Sequence, residues 1–400
     1  MTEVRGAFRA IILKVLIFFA CMLGAQTAAK AEQVFTVSGN GVIRMLADPD
    51  CAPTSCQWID IDRNAQTIAL AASSDNLFQL HQNGSIWVWT GRACDASGCP
   101  HWRRIDRNPA AIAIAADYSN LYQLHGNGSI WRWKGEPCNG NSCTSWERLD
   151  RNPRAIAISA AGSKLFQLHD NGAIWESTGA ACEGSSCAGW RRLDRNSSTK
   201  QIEAAAPGQL YQRHENGSIW RWNGRACDGD RCTSWSRLDR NAATKSITAA
   251  QGQLFQLHAN GSIWRWLGGV CQGNNCNSWR MLDVNPRTRA IAAGQAATPS
   301  DFDTSPVSTT PPLYQVHDNG SVWRWRGEPC SGSSCPHWDN ISAGRAFVSY
   351  SADRGGLYVF DGDYYSGSVA SPGLPPSAFG FDTMRFARTG ANTVEMNILF

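Results

Sequence analysis

Fourteen of the fifteen cysteines form pairs with four intervening residues, a spacing that could serve disulfide formation or metal binding. An even set of cysteines at constant spacing in an exported chain is typical of disulfides. A structural zinc site needs four ligands, whereas each pair offers two thiolates and the next pair lies a whole repeat away. The sequence therefore predicts seven local disulfides and no metal site. The predicted pairs are Cys51 with Cys56, Cys94 with Cys99, Cys138 with Cys143, Cys182 with Cys187, Cys227 with Cys232, Cys271 with Cys276, and Cys330 with Cys335.

A tryptophan preceded by an arginine recurs at the same place in several segments and could bind carbohydrate. An indole face stacks on the apolar C–H face of a pyranose, and a neighbouring guanidinium can bond its hydroxyls. The competing interpretation is that these tryptophans belong to the core. Glu176-Ser177 and Met45-Leu46 interrupt the pattern. The predicted sugar-binding residues are Trp89, Trp133, Trp222, Trp266, Trp325, Arg132, Arg221, Arg265 and Arg324.

The other ionisable residues mostly recur in every unit, which argues against a single catalytic centre. We interpret the recurring histidines as partners in a hydrogen bond across a hairpin and the Asp-Arg-Asn triplets as turn caps with a solvated charge. Such a triplet has too few oxygen ligands for calcium. Glycoside cleavage needs a carboxylate pair around one bond, and the non-repeated Asp361, Asp363 and Asp382 show no recognisable spacing. The sequence predicts no enzyme and no cofactor.

The paired cysteines, the tryptophans, the histidines and the Asp-Arg-Asn triplets belong to one unit of about 44 residues that is copied seven times or more. The unit is clearest over residues 112–150, where short strands are predicted at 112–116, 121–125, 129–133 and 146–150. Asn127-Gly128 predicts a type I′ turn between the second and third strands, because both central residues of that turn need positive φ. The disulfide loop follows the third strand.

Four short antiparallel strands per unit predict an all-β fold, a β-propeller with one blade per unit. A β-sandwich does not explain so many near-identical units. Two further tryptophan positions recur, and we expect both to fill the gaps between blades. The first holds Trp87, Trp131, Trp175, Trp220, Trp264 and Trp323, and the second holds Trp58, Trp102, Trp146, Trp190, Trp235, Trp279 and Trp338.

The number of blades stays open between seven and eight. The first unit starts at its second strand, so a C-terminal strand must complete that blade. Residues 345–350 would give seven blades and residues 393–400 would give eight. A second-strand match beginning at Leu357 favours eight, whereas the lack of cysteine and tryptophan in the tail favours seven. We expect one domain over residues 32–400, with an insertion loop at 296–312 and a degenerate last blade or closing tail at 357–400.

Residues 1–31 are predicted to be a signal peptide. Arg5, Arg9 and Lys14 precede a short apolar run, and a small-x-small site ends at Ala31. Lipidation at Cys21 is the alternative. Cleavage near Ala31 would make the protein secreted or periplasmic and would lower the formal charge from +4 to about +1. Such a chain lacks the basic patch of a nucleic-acid-binding protein, and no later segment is apolar enough to span a membrane.

The repeated Leu-Tyr-Gln-Leu-His-x-Asn-Gly-Ser-Ile-Trp-Arg-Trp core, with Gly135, Gly224 or Gly327 following, resembles the tectonin and tachylectin group of β-propeller lectins. The resemblance covers about residues 34–350. It implies binding of glycans or glycoconjugates, such as those of bacterial or host cell surfaces, at equivalent sites in successive blades. The bridged loops and the unrepeated tail depart from that group. The expected function is therefore a multivalent lectin, with a protein–protein scaffold as the alternative and a glycan hydrolase or lyase less favoured.

Overall fold

The computed structural model describes residues 33–73, 76–117, 120–250, 252–294 and 312–342, together with four later strands within residues 356–398. These residues form strands and turns and contain no helix. The described residues form eight antiparallel sheets, of which seven have four or five strands and are the blades of a propeller, and the eighth is a two-stranded sheet within residues 384–398. The predicted all-β propeller is confirmed, and it has seven blades.

Within each blade the strands are bonded in order, and we name them a to d from the centre outwards. Blade 1 takes β1 (Gln33–Val37), β2 (Ile43–Leu46) and β3 (Trp58–Asp62) as strands b, c and d. Blades 2 to 4 each take four consecutive strands: β4 (Thr67–Ala72), β5 (Leu77–His81), β6 (Ile86–Trp89), β7 (Trp102–Asp106); β8 (Ala111–Asp117), β9 (Asn120–His125), β10 (Ile130–Trp133), β11 (Trp146–Asp150); β12 (Ala155–Ala161), β13 (Lys164–His169), β14 (Ile174–Ser177), β15 (Trp190–Asp194).

Blades 5 to 7 repeat the same order with β16 (Thr199–Ala206), β17 (Gln209–His214), β18 (Ile219–Trp222), β19 (Trp235–Asp239); β20 (Thr244–Ala250), β21 (Gln253–His258), β22 (Ser262–Trp266), β23 (Trp279–Val284); β24 (Thr288–Ala293), β25 (Leu313–His317), β26 (Val322–Trp325), β27 (Trp338–Asn340). The four later strands are β28 (Gly356–Phe360), β29 (Ser368–Ala370), β30 (Met384–Arg388) and β31 (Val394–Ile398). Strands a are rich in alanine because neighbouring strands a crowd together around the centre of the ring.

The Asn-Gly hairpin between strands b and c forms, but its turn is not type I′. Gly128 has φ +79°, whereas Asn127 is not among the described residues with positive φ. The turn closes through bonds from Gly128 N–H to the His125 carbonyl and from His125 N–H to the Ser129 carbonyl, each 2.9 Å. Asn127 Oδ1 accepts the Ser129 N–H at 3.0 Å, so this asparagine stabilises the turn through a side-chain hydrogen bond. A Cβ at Gly128 would lie 2.0 Å from the Asn152 carbonyl oxygen, which requires glycine there.

Strand β28 closes the ring. It pairs antiparallel with β1, from Gln33 opposite Phe360 to Val37 opposite Gly356, and so supplies strand a of blade 1. Of the two predicted closing segments, β31 pairs with β30 instead, and residues 345–350 lie outside the described residues. Leu357 and Tyr358 are fully buried and pack into the cores on the two sides of blade 1. Strand β29 adds a fifth strand beyond β28 and lies beside β24.

The tryptophan at the start of each strand d bonds its blade to the preceding one. Trp146 Nε1–H, for example, donates to the Ile105 carbonyl at 3.0 Å. The same bond joins blade 1 to blade 7, from Trp58 to the Ile341 carbonyl at 2.9 Å, so the contact runs round the whole ring. The packing role predicted for this position is therefore confirmed. The other members are Trp102, Trp190, Trp235, Trp279 and Trp338.

The aspartates of the Asp-Arg-Asn triplets also join blades, and their charge is not solvated as predicted. Asp106 is buried, accepts the Arg107 N–H through Oδ1 and accepts Gln123 Nε2–H of the next blade through Oδ2, both at 2.8 Å. Burial raises the pKa of this carboxyl despite those bonds. The same link recurs as Asp62–Gln79, Asp150–Gln167, Asp194–Gln212, Asp239–Gln256 and Asp283–Gln315.

All seven predicted disulfides form, and each closes a loop within its own blade. The bonds join Cys51 to Cys56, Cys94 to Cys99, Cys138 to Cys143, Cys182 to Cys187, Cys227 to Cys232, Cys271 to Cys276, and Cys330 to Cys335. The pairing predicted from the constant spacing is therefore confirmed. Seven disulfides are consistent with an oxidising compartment.

Each disulfide loop between strands c and d is also held by the preceding blade. Cys138 N–H donates to the Arg104 carbonyl at 3.1 Å, and Arg104 Nη2 donates to the Gly140 carbonyl at 2.8 Å. The same backbone bond recurs from Cys182 to the Arg148 carbonyl at 2.8 Å. The loops therefore act as outer clamps between neighbouring blades.

The predicted signal peptide and the insertion at 296–312 lie outside the described residues, apart from Pro312. Within the described part of the chain, no helix has the length and apolarity needed to cross a bilayer.

Candidate ligand-binding groove between blades 2 and 3

The second tryptophan of strand c fills a socket made largely by the preceding blade. At Trp266 of blade 6, the ring of Tyr211 in blade 5 approaches edge-on at 6.4 Å and 74°. The Arg221 guanidinium lies over the Trp266 ring, 5.2 Å from its centroid. The indole N–H donates to the Gly269 carbonyl at 2.7 Å. Trp266 is only 6% exposed, so its face is covered on this side by a cation–π contact.

Two more predicted sugar-binding tryptophans have the same surroundings. The ring of Phe255 meets that of Trp325 edge-on, with 6.4 Å between the ring centroids. The Arg265 guanidinium carbon lies over the Trp325 ring, 6.0 Å from its centroid. The Trp222 ring meets Phe166 edge-on, and the guanidinium over its face belongs to Arg191. Arg191 Nε–H also donates to Glu176 at 2.6 Å. Both tryptophans are 5% exposed. Their indole faces are thus largely taken up by contacts within the protein.

The last predicted arginine lies in the gap between blades 7 and 1. Arg324 donates to the carbonyls of Pro49 and Cys51 in blade 1, the second at 2.9 Å. Leu46 stands at the tryptophan position there and is buried. Arg324 therefore ties the two blades together where the ring closes.

Trp133 differs because the residue that should cover it is Val88. In the strand pairing, Val88 lies opposite Phe78, as Arg221 lies opposite Tyr211. Phe78 still meets the Trp133 ring edge-on at 5.7 Å and 80°, and the Trp133 N–H donates to the Glu136 carbonyl at 2.9 Å. The socket keeps its edge contact and its loop bond, but it has no guanidinium from position 88.

An open groove of about 440 Å³ results between blades 2 and 3. We call it the Trp133 groove. Trp89 also lines it, with its N–H bonded to the Arg92 carbonyl at 2.8 Å. Arg103 is exposed and lies opposite Val88 in the sheet, which offers it no carboxylate. The groove is lined by Asn76, Val88, Trp89, Thr90, Arg103, Trp133 and Gly135.

The groove combines two indoles with hydrogen-bonding groups. Trp133 and Trp89 are partly exposed, unlike their buried counterparts in blades 5 to 7. Arg103 offers a guanidinium and Asn76 an amide that can both donate and accept. Among the described residues that line the groove there is no carboxylate, histidine, lysine or cysteine. The arrangement can bind a neutral or anionic polar ring, but it contains no acid–base pair.

The repeated histidines stack on the first tryptophan of strand c. The rings of His125 and Trp131 are 5.9 Å apart with 29° between their planes, and Arg148 covers Trp131 from 5.5 Å. Burial lowers the pKa of His125 to about 4. No hydrogen-bond partner for His125 Nε2 is found in the described part of the chain, so the predicted bond across the hairpin is replaced by stacking. The described residues also contain no cluster of metal-ligating side chains.

Two non-repeated carboxyls lie on strands a, Asp117 buried and Glu203 partly buried. Burial raises the pKa of Asp117 in blade 3 to about 6 and that of Glu203 in blade 5 to about 8. Asp117 bonds to Asn120 Nδ2 at 3.2 Å, and Glu203 accepts the Ala249 N–H at 3.4 Å. They lie on separate blades and do not line the Trp133 groove.

Comparison with known proteins adds likenesses of fold. No protein-family model and no curated protein matches the sequence. Similar solved structures include yeast RCC1 (Prp20) bound to Kap60, at 13% identity and TM-score 0.47 over 88% of this chain and 91% of that one. Human WBSCR16 is similar at 12% identity and TM-score 0.43, over 74% and 88% of the two chains. YCF48 from Cyanidioschyzon merolae is similar at 12% identity and TM-score 0.42, over 78% and 96%. The seven-bladed fold rests on the strand pairing above.

Proposed function

We propose that the protein is a carbohydrate-binding β-propeller whose primary site is the Trp133 groove. The observation that carries this proposal is the replacement of the covering arginine by Val88, which leaves the indole of Trp133 free to stack on a ligand. The resemblance of the repeat core to tectonin and tachylectin lectins supports the same ligand class.

A pyranose ring fits the chemistry of the groove. Its C–H face would stack on Trp133, while Arg103 and Asn76 would bond its hydroxyl or acetamido oxygens. The indole N–H of Trp133 already donates to Glu136, so the ring is fixed before a ligand arrives. A platform held in advance costs less conformational entropy on binding.

The proposal includes fewer sites than the repeat pattern suggests. Trp222, Trp266 and Trp325 have guanidinium groups over their faces, so a sugar would have to displace an arginine at each. We therefore place one primary site in each chain. Avidity for a surface glycan would then need several chains or additional weak sites.

Binding without catalysis is part of the proposal. Glycosidases use two carboxyl groups placed around the scissile bond, and the residues lining the groove have none. We further propose that the mature chain works in a periplasm or outside the cell. The seven disulfides and the signal-peptide pattern of residues 1–31 support that location.

A glycan array with the mature chain, residues 32–400, tests the proposal. Trp133→Ala should lose the glycans that the wild type binds. Trp222→Ala is the matched control because it removes an indole from the same repeat position whose face is already covered, so its pattern should be unchanged. Absence of any bound glycan, with flow-through on immobilised N-acetylated sugars, would contradict the proposal and favour a scaffold for protein partners.

A further inference from the structure

We propose that a second pocket, between blades 3 and 4, binds an indole ring supplied by a ligand. The pocket has a volume of about 100 Å³ and forms where Ser177 takes the position of the second tryptophan of strand c. We call it the Ser177 notch. This proposal is independent of carbohydrate binding at the Trp133 groove.

Four residues that line the notch match the residues around Trp266. Tyr122 and Arg132 are cross-strand partners in blade 3, as Tyr211 and Arg221 are in blade 5. Leu149 and Leu165 line the notch, and their counterparts Leu238 and Leu254 pack in the same core cluster as Trp266. The tyrosine ring, the guanidinium and the two leucines are therefore retained, and the indole is missing.

The arginine of the notch is held in place without a tryptophan to cover. Arg132 Nη2 forms an ion pair with Glu147 on the neighbouring strand, and both side chains are about one-third exposed. Tyr122 is buried, and burial raises the pKa of its hydroxyl, which keeps the ring neutral. The two groups that contact an indole elsewhere in the ring are thus present and ordered here.

Neighbouring segments keep the mouth of the notch open. Ser177 Oγ accepts the Gly179 N–H at 3.0 Å, so the serine is bonded to its own loop and points no bulky group into the space. On the blade 4 side, Ser163 adopts φ +61° in the turn before Lys164, the one non-glycine residue with positive φ among those described. On the blade 3 side, the buried Asp117 accepts the Asn120 Nδ2–H at 3.2 Å.

The chemical class of the ligand follows from the retained contacts. A polarised guanidinium favours the face of an electron-rich ring, and a tyrosine edge favours a second aromatic ring. Cavities left by a missing apolar group bind small aromatic molecules of matching shape. Indole is the ring that occupies this socket in blades 5 to 7, so we infer an indole side chain of a polypeptide or a free indolic amino acid.

Titration calorimetry of the mature chain with indole, N-acetyl-L-tryptophanamide and L-tryptophan tests the proposal. Indole should bind with a stoichiometry of one. Tighter binding of the amide than of the free amino acid would identify a polypeptide side chain as the source, and the reverse order would identify the amino acid. No binding of any of the three probes would overturn the proposal.

Variants at position 177 make the test specific. Ser177→Trp restores the repeat and should abolish indole binding while raising the thermal unfolding midpoint. Ser177→Ala leaves the space empty and should bind as the wild type does. Arg132→Gln should weaken binding by about fivefold through loss of the cation–π contact. Unchanged indole binding by a folded Ser177→Trp protein would contradict the assignment to this notch, whatever the outcome of the glycan experiments.

Discussion

The Arg221 guanidinium lies 5.2 Å from the centre of the Trp266 ring in the next blade. At Trp266 and Trp325 an arginine on strand c of one blade covers the tryptophan of the next blade, and at Trp222 the covering arginine comes from strand d. Two of the gaps that lack one of these partners are open. Val88 removes the cover between blades 2 and 3, and Ser177 removes the tryptophan between blades 3 and 4.

Removing the cover from Trp266 should create a new sugar site. We expect Arg221→Val to raise the stoichiometry of binding to the glycan recognised by the wild type from one to two per chain. The loss of the cation–π contact should cost about 1 kcal/mol of stability. Calorimetric titration gives the stoichiometry. Arg221→Lys keeps a cation over the ring and is the control that should retain one site.

Loss of β28 should open the ring. A chain ending at residue 355 lacks strand a of blade 1 and leaves the edge of β1 unpaired, so we expect aggregation or loss of the cooperative unfolding transition. A chain ending at residue 383 loses β30 and β31 but keeps β28 and β29, and should unfold as the full chain does. Size-exclusion chromatography and thermal unfolding compare the two. Equal behaviour of both truncations would contradict closure by β28.

Disulfides of equal loop length should differ in their contribution to stability. Cys51 and Cys56 are buried in the core between blades 7 and 1, whereas the loop closed by Cys138 and Cys143 is largely at the surface. A loop this short gives at most about 2 kcal/mol by chain entropy. Replacing Cys138 and Cys143 by serine should cost no more than that, and replacing Cys51 and Cys56 should cost more. Urea unfolding measures the free energy lost by each double variant. Equal losses would contradict a larger contribution from the buried Cys51–Cys56 bridge.

Acid should destabilise the fold through the stacked histidines. Burial lowers the pKa of His81, His125, His214 and His317 to about 4, below the unfolded value of about 6.5. Their contribution is therefore fully present above pH 6.5 and is lost as the pH falls towards 4, because the unfolded chain binds protons first. The buried aspartates such as Asp106 have raised pKa values and act in the opposite direction near pH 4.

Urea midpoints measured between pH 7.5 and 5 check the histidine contribution. Between these two pH values the free energy of unfolding of the wild type should fall by on the order of 1 kcal/mol for each buried histidine. His125→Phe keeps an aromatic ring against Trp131 without a titrating group, and should show a shallower loss over the same range. A variant with the wild-type pH dependence would show that His125 does not contribute.

The repeat made much of this fold predictable. Local chemistry defines the strands, the Asn-Gly hairpins and the disulfide pairs, since each unit contains all of those partners. The closing strand was not predictable in this way. Residues 357–360 match a strand b by residue type, yet their partner is β1, more than 300 residues earlier. Pairing across the whole chain is decided by ring geometry and not by local pattern.

The candidate sites were predicted only in part. The sequence predicted sugar binding at Trp133 and Trp89, but equally at Trp222, Trp266 and Trp325. It could not separate the exposed from the buried tryptophans, because the exposure of each indole depends on side chains of the neighbouring blade. The signal was present in Val88 and Ser177, which break the Arg–Trp pattern. These two substitutions can be interpreted only from the structure, because the arginine of one blade covers the tryptophan of the next blade and not the tryptophan beside it in the sequence. Asn76 carries no repeat signature, and Arg103 stands at a strand d position that is arginine in only some blades, so the groove itself identifies both residues.

The Val88→Arg variant tests the central claim most directly, because it restores the cover without removing any groove tryptophan. Blade 6 already accommodates such a pair, with Arg265 opposite Arg280. Titrated with the glycan that the wild type binds, folded Val88→Arg should show at least tenfold weaker binding, about 1.4 kcal/mol, while Val88→Thr keeps most of the affinity. Wild-type affinity in the Val88→Arg protein would contradict carbohydrate binding at the uncovered face of Trp133.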